Sequence, residues 1–275
     1  MDTLHFLYKN PLGRVLLKPL TAPAVSRLCG RFLDSTLSAF LIKGFARKNQ
    51  IKLEDYETKD ITTFNQFFRR KIKDGLRPFD FTPEKLCAPC DGLLSVWHIE
   101  DSSGTVIPVK QSQYTIESLL QNKELAAQYQ GGYCLVFRLC VNHYHRYAYV
   151  DSGTKGANVF IPGVLHTVRP IALETLPVFV QNSREYTVIE SEIFGPLVQM
   201  EVGAMLVGRI VNHKQEATVK RGDEKGFFEY GGSTIIVLVK KDKLVLRQEL
   251  LENSQRGIET PVVMGEVIGG AGLNT

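Results

Sequence analysis

The sequence predicts an α+β fold: a β-rich body of sandwich or partly closed barrel type, with amphipathic helices gathered at its N-terminal end. Three observations predict it. Between Val25 and Phe45 apolar residues recur at helical spacing. From about Leu86 onward the chain changes to short β-rich runs separated by Gly, Asp and Asn. The 275 residues are 44% hydrophobic and 23% charged, which suits a globular chain with a sizeable core.

Residues 1–60 read as a basic, amphipathic helical segment. Val25, Leu28, Cys29, Phe32, Leu33, Leu37, Phe40, Leu41 and Phe45 follow the i, i+3, i+4, i+7 pattern, and Ser26, Arg27, Asp34 and Ser38 fall largely on the other side. Pro23 suits the first helical turn. Such a stripe packs on the body or lies in a membrane interface, and periodicity leaves both open. Residues 61–275 read as the second unit. A helix is expected after the hydroxyl caps Thr62 and Thr63, carrying Phe64, Phe67 and Phe68 and ending in Arg69-Arg70-Lys71. A short helix fits Ile116–Tyr129. Strands are expected at Leu93–Ile99, Tyr133–Leu139, Tyr144–Val150, Tyr186–Ile189, Leu197–Val202, Met205–Val211, Ser233–Val239 and Lys243–Leu246.

Composition narrows the setting. No apolar run of about 18 residues exists, so no transmembrane span is expected. Lys9, Pro11, Arg14 and Lys18 interrupt any signal-peptide pattern. Five cysteines at irregular spacing fit a reducing compartment. The net charge of +4 is uneven: the first fifty residues hold eight Lys and Arg against Asp2 and Asp34, a net +6, and the remainder carries −2. That asymmetry suggests an anionic surface as partner. The segment lacks the exposed aromatic platform of single-strand binders, so nucleic acid is not expected.

Gly231-Gly232-Ser233-Thr234 stands directly ahead of the β-branched run Ile235–Val239. Alone it reads as a tight turn. Its chemical reading is attack by the Ser233 hydroxyl on the Gly232 carbonyl. A serine needs a base for this, usually a histidine oriented by a buried carboxylate. His5 lies in the basic segment and reads as incidental; His98 and His213 read as surface residues. His143 and His145 share Asn142-His143-Tyr144-His145-Arg146-Tyr147, and on a strand they point to one side. They form at most half of a metal site, and no metal is expected. His166 sits in a separate short strand or loop. Asp91, at a strand entrance in Ala88-Pro89-Cys90-Asp91-Gly92, is the candidate carboxylate or a turn former. Cys87 and Cys90 lack the βαβ context of a redox pair and read as buried or incidental thiols.

An ordered series then becomes visible. It runs Phe67-Phe68-Arg69-Arg70 with Arg77-Pro78, Pro89-Cys90-Asp91-Gly92, Tyr144-His145-Arg146 and Phe194-Gly195-Pro196. It continues with Val202-Gly203-Ala204, Val207-Gly208 and Gly231-Gly232-Ser233-Thr234. The series resembles the phosphatidylserine decarboxylase family, from about residue 60 to about residue 240. The resemblance implies a proenzyme cut by its own Asp-His-Ser relay, whose Asp and Ser map onto Asp91 and Ser233. Scission between Gly232 and Ser233 would leave chains 1–232 and 233–275 associated through the sheet. Ser233 would become a covalent pyruvoyl group, an electron sink for carbon dioxide loss once joined to the substrate amine. The implied substrate is phosphatidylserine and the product phosphatidylethanolamine. The basic N-terminus then has a purpose, holding a peripheral protein on an anionic membrane at the cytoplasmic face. A homo-oligomer is also expected.

One departure bears on the chemistry. The family pattern is Tyr-His-Arg-x-His, its second histidine serving the relay and its first the decarboxylation. Here the series is Tyr144-His145-Arg146-Tyr147-Ala148. Alanine cannot take a proton from Ser233. The resulting expectation is a trapped proenzyme, with His145 kept for decarboxylation. Rescue by His145 or by His166 as an auxiliary base, and natural loss of activity, are the alternatives. Two other functions stay open: a pyruvoyl decarboxylase of a small amino acid, and a non-maturing lipid-binding scaffold.

Overall fold

The computed structural model describes residues 3–104, 107–109, 112–205, 209–231 and 233–272. Its centre is an antiparallel sheet of nine strands. Ala217–Val219, Gly153–Lys155, Arg184–Ser191, Gly195–Val202, Ser233–Val239, Tyr133–Leu139, Gly92–His98 and Thr260–Val262 lie side by side in that order. Val159–Ile161 adds to Arg184–Ser191. Ser233–Val239 is interior and buried at every position. Its unbroken apolar run, without alternation, fits a strand covered on both faces.

Along the Arg184–Ser191 and Gly195–Val202 pair, Glu185 faces Glu201 and Thr187 faces Gln199, so these side chains share one face. A smaller sheet of Ile210–Asn212, Glu224–Phe228 and Arg146–Ala148 lies against that face. Gln199 Nε2 donates to the Ala148 carbonyl at 3.0 Å, and Lys225 Nζ donates to Glu201 Oε2 at 2.6 Å. The body is therefore of the sandwich type, and no sheet closes into a barrel among the described residues. Lys85–Cys87, Leu244–Leu246 and Val267–Ala271 form a further sheet.

The N-terminal helices are α1 (Thr3–Lys9), α2 (Pro11–Leu20), α3 (Pro23–Leu33), α4 (Phe40–Lys48) and α5 (Phe64–Phe68). The single helix expected across Val25–Phe45 is two helices joined by a 3-10 turn at Thr36–Ala39. The reason is tertiary. Ser38 Oγ donates to the Leu33 and Ser35 carbonyls and accepts from the Phe64 amide, which satisfies the broken end of α3 and starts α5. Thr63 caps α5 in a capping box with Gln66. The helix expected at Ile116–Tyr129 is also two pieces, because Gln121 adopts a left-handed conformation and Asn122 caps the second. Expected strand Met205–Val211 falls partly outside the described residues; a strand occupies Ile210–Asn212. Tyr144–Val150 shortens to Arg146–Ala148.

Two anchors fix the N-terminal segment. The Thr167 amide donates to Tyr8 Oη of α1, and the Leu165 amide donates to the Thr21 carbonyl. Separately, Leu33, Ala46, Phe64, Phe67 and Phe68 form a small core that takes in Phe45 and Tyr230. Tyr230 precedes Ser233 by three residues, so α3, α4 and α5 grip the segment leading into the Ser233 strand.

Candidate active site

Ser233 opens an interior strand, directly opposite Leu139 on the neighbouring one. One strand further, Leu93 faces Arg138, which places Asp91 near the end of the same row. Two inter-strand spacings separate the Ser233 and Asp91 strands, roughly 10 Å. A direct hydrogen bond cannot cross that gap; a third side chain is needed between them. Glu201 pairs with Ile235, two residues beyond Ser233, so the Ser233 side chain shares the face covered by the smaller sheet. Gly231, two residues earlier, has φ +132°, a conformation open to glycine without strain. Gly232 lies outside the described residues.

The Ser233 hydroxyl is fully buried and has no hydrogen-bond partner among the described residues, and the Thr234 hydroxyl is in the same state. His145 is also fully buried, with its ring 4.1 Å from that of Phe68 between centroids. Its Nδ1 lies 2.9 Å from the His143 carbonyl, which can only accept, so Nδ1 carries the proton. Nε2 is then a bare lone pair, and it too has no partner. Burial, then the Arg70 charge, holds the His145 pKa well below the usual histidine value. His145 is a neutral base whose buried acceptor atom has no partner among the described residues.

His143 is set the opposite way. Its Nδ1 accepts from the Cys140 amide at 3.1 Å, so the neutral ring carries its proton on Nε2. Burial lowers its pKa, partly offset by the nearby Asp91 charge. The two histidines sit in the turn before the Arg146–Ala148 strand rather than on a strand, and they do not share an environment.

Asp91 is buried and bound by a cation. Arg77 Nε and one terminal nitrogen each approach a separate Asp91 oxygen at 2.7 Å, and the Met264 amide donates to Oδ1 at 2.9 Å. This bidentate pair raises the Arg77 pKa further. Sequence reasoning found both Arg77 and Asp91 but not their union. Ala148 is close by: its amide donates to the Pro89 carbonyl at 2.8 Å, two residues before Asp91. Ala148, Arg77, Tyr144 and Met264 line one cavity of about 230 Å³. Open space therefore adjoins Ala148 and the two residues that bind Asp91, Arg77 and Met264, while Asp91 itself stands behind them.

His166 lies apart from this cluster. Its Nδ1 is 3.3 Å from Tyr8 Oη, and Asn182 brackets its backbone amide and carbonyl. Burial lowers its pKa. Cys87 and Cys90 are buried, free thiols. Sequence reading missed the ion pair Lys225–Glu201, both fully buried, in the irregular strand facing Ala148 and Tyr147. A lysine in a short polar run gives no sign that it turns inward.

Comparison with known proteins identifies the family. The phosphatidylserine decarboxylase family model matches residues 64–270. The chain is 41% identical over 267 residues to phosphatidylserine decarboxylase proenzyme 2 of Clostridium acetobutylicum, covering 97% of this chain and 91% of the relative. It is 39% identical to the phosphatidylserine decarboxylase proenzyme of Ruminiclostridium cellulolyticum, covering 97% and 90%. The Clostridium perfringens proenzyme is 36% identical, with 97% and 92% covered. With its Asp91 and Ser233 motifs at one end of one sheet, the chain belongs to the phosphatidylserine decarboxylase family.

Proposed function

We propose that this chain is the proenzyme of a membrane-associated phosphatidylserine decarboxylase, with Ser233 as self-cleavage nucleophile and precursor of a pyruvoyl group. The observation that carries the reading is the buried Ser233 hydroxyl, without a hydrogen-bond partner among the described residues, at the head of an interior strand. In the cleavage, Ser233 Oγ bonds to the Gly232 carbonyl carbon and gives its proton to a base. The Gly232–Ser233 C–N bond breaks, the nitrogen takes a proton, and an ester remains. Removal of the Ser233 α-proton expels the Gly232 carboxylate; one water then releases ammonia. The dry, polar end of the sheet fits a small carbonyl group, which supplies an electron sink when carbon dioxide leaves. Phosphatidylserine would become phosphatidylethanolamine and carbon dioxide, with residues 61–275 as the catalytic unit.

Maturation is arrested in this chain because position 148 holds alanine. A histidine there would extend beside Pro89 and the cavity that Arg77 and Met264 share, toward Asp91. His145 serves the decarboxylation: as a neutral base, its Nε2 collects a proton before returning one to the product carbon. The test is intact mass of the chain, of Ala148→His and of Ser233→Ala. The chain and Ser233→Ala should remain whole, and Ala148→His should split between Gly232 and Ser233 with a short chain blocked to Edman sequencing. A whole Ala148→His protein would reject the relay assignment. The bare Nε2 of His145 favours a second reading, in which His145 takes the Ser233 proton. Spontaneous scission of the chain, lost in His145→Ala, would select it. The auxiliary role expected for His166 would require its ring to leave Tyr8.

Residues 1–60 would hold the protein on an anionic membrane, peripherally and at the cytoplasmic face. In support, Leu12, Val15 and Leu16 of α2 and Leu28 and Phe32 of α3 are exposed beside basic residues. No helix among the described residues is long and apolar enough to cross a membrane.

A further inference from the structure

A second cavity, of about 280 Å³, opens between α3 and the strand ends near Ser233. Arg27 of α3 and Arg209 line it from opposite parts of the chain, with Gly203, Glu185, Leu165 and Phe160 between them. Gly203 follows Val202, which pairs with Thr234, so the cavity wall adjoins the row that Ser233 opens. The Arg209 carbonyl accepts from the Glu229 amide, four residues before Ser233. Neither guanidinium makes an ion pair or a side-chain hydrogen bond among the described residues. The carboxylate in the wall, Glu185, is already engaged by the Asn212 amide nitrogen at 2.6 Å. Arg209 also acts on the buried Glu229 carboxyl, offsetting part of the rise that burial imposes on it, but Glu229 lies outside the lining. The lining itself carries two guanidinium forks against one engaged carboxylate. Phe160 carries the lining out to solvent as exposed apolar surface, and Leu28 and Phe32 are exposed elsewhere on α3.

We propose that Arg27 and Arg209 clamp the phosphodiester of the lipid substrate, setting its serine end toward Ser233 and its acyl chains along α3. The proposal rests on the decarboxylase reading and names the substrate-positioning residues for it. Guanidinium forks match phosphate oxygens two at a time, which a lysine does not. The cavity suits a polar headgroup and leaves no room for acyl chains, which fits lipid presented from a membrane.

The test is calorimetric titration of the uncut chain with glycerophosphoserine, so it does not depend on maturation. Arg27→Gln and Arg209→Gln should each weaken binding by about 10- to 100-fold, the range for charge-assisted hydrogen bonds. Lys18→Gln and Lys43→Gln remove equal charge from the same segment outside the cavity and should leave binding unchanged. Free serine should not compete, and inorganic phosphate should compete only weakly. Unchanged affinity in the Arg27→Gln/Arg209→Gln double variant, with an unaltered melting temperature, would overturn the proposal. Phosphate binding as tight as glycerophosphoserine would overturn the headgroup assignment and leave a free-phosphate site. A whole Ala148→His protein with arginine-dependent binding would reject the relay and spare this site; the reverse pattern would do the opposite.

Discussion

Ser233 Oγ, Thr234 Oγ1 and His145 Nε2 are buried polar atoms without partners among the described residues. Each such group costs about 1–3 kcal/mol. Most buried polar groups in proteins are satisfied. Ser26 Oγ, Asn65 Oδ1, Arg70 Nε, Tyr149 Oη and Glu201 Oε1 are exceptions elsewhere among the described residues, and Ser233 and Thr234 are set apart by being consecutive. Ser233→Ala deletes one of the three at little cost in packing. It should raise the melting temperature by about 2–4 °C for each kcal/mol relieved. A lowered melting temperature would mean that the hydroxyl is bonded in solution. Asp91 and Ser233 could be proposed from sequence because each sits in a short distinctive string. The Arg77 fork on Asp91 was not, because nothing in spacing says which cation meets which carboxylate. The opposite tautomers of His143 and His145 were equally hidden, being set by backbone groups in a turn.

At the scale of elements, α2 and α3 combine exposed apolar residues with basic charge. Inserting a Leu or Phe side chain into an apolar phase gains roughly 1.5–3 kcal/mol. The double variant Leu16→Glu/Phe32→Glu should therefore lose at least about 100-fold in partitioning onto phosphatidylserine vesicles by flotation. Full flotation of that variant would reject the membrane role of this face. The periodicity from Val25 to Phe45 identified helix correctly but not its interruption. Ser38 breaks it through a contact with the Phe64 amide, which lies 26 residues away in sequence. The strand at Ser233–Val239 agrees with expectation residue for residue, because a β-branched run between turn signals fixes both ends. Three-residue strands such as Gly153–Lys155 are too short to show a period.

For the molecule as a whole, three histidines share one electrostatic tendency. Burial lowers the pKa of His143, His145 and His166 in the folded protein. Above about pH 6.5 these rings are neutral in both folded and unfolded chains and do not affect the balance. Below it the unfolded chain binds protons that the folded one refuses, so stability falls as pH drops. The loss reaches at most about 1.4 kcal/mol per pH unit for each ring and continues toward the depressed folded value. Denaturant titrations from pH 7 to pH 5 should show this decline, and His145→Gln should flatten it. An equal slope in His145→Gln would remove His145 from the account. The α+β class was legible because helix and strand textures occupy separate parts of the chain; the strand order was not, since Thr260–Val262 returns to pair with Gly92–His98 from far along the sequence.

The position of Ser233–Val239 inside the central sheet has a consequence for what a cut there would produce. The 233–275 piece would supply that interior strand, the edge strand Thr260–Val262, and two of the three strands in the sheet with Lys85–Cys87. Hydrogen bonds on both flanks would hold it in place. Maturation would exchange one covalent link for knitted strands and yield an inseparable heterodimer from a single translation product. Its new chain end would lie embedded in a solid, where a loose tail could not keep a reactive carbonyl aimed.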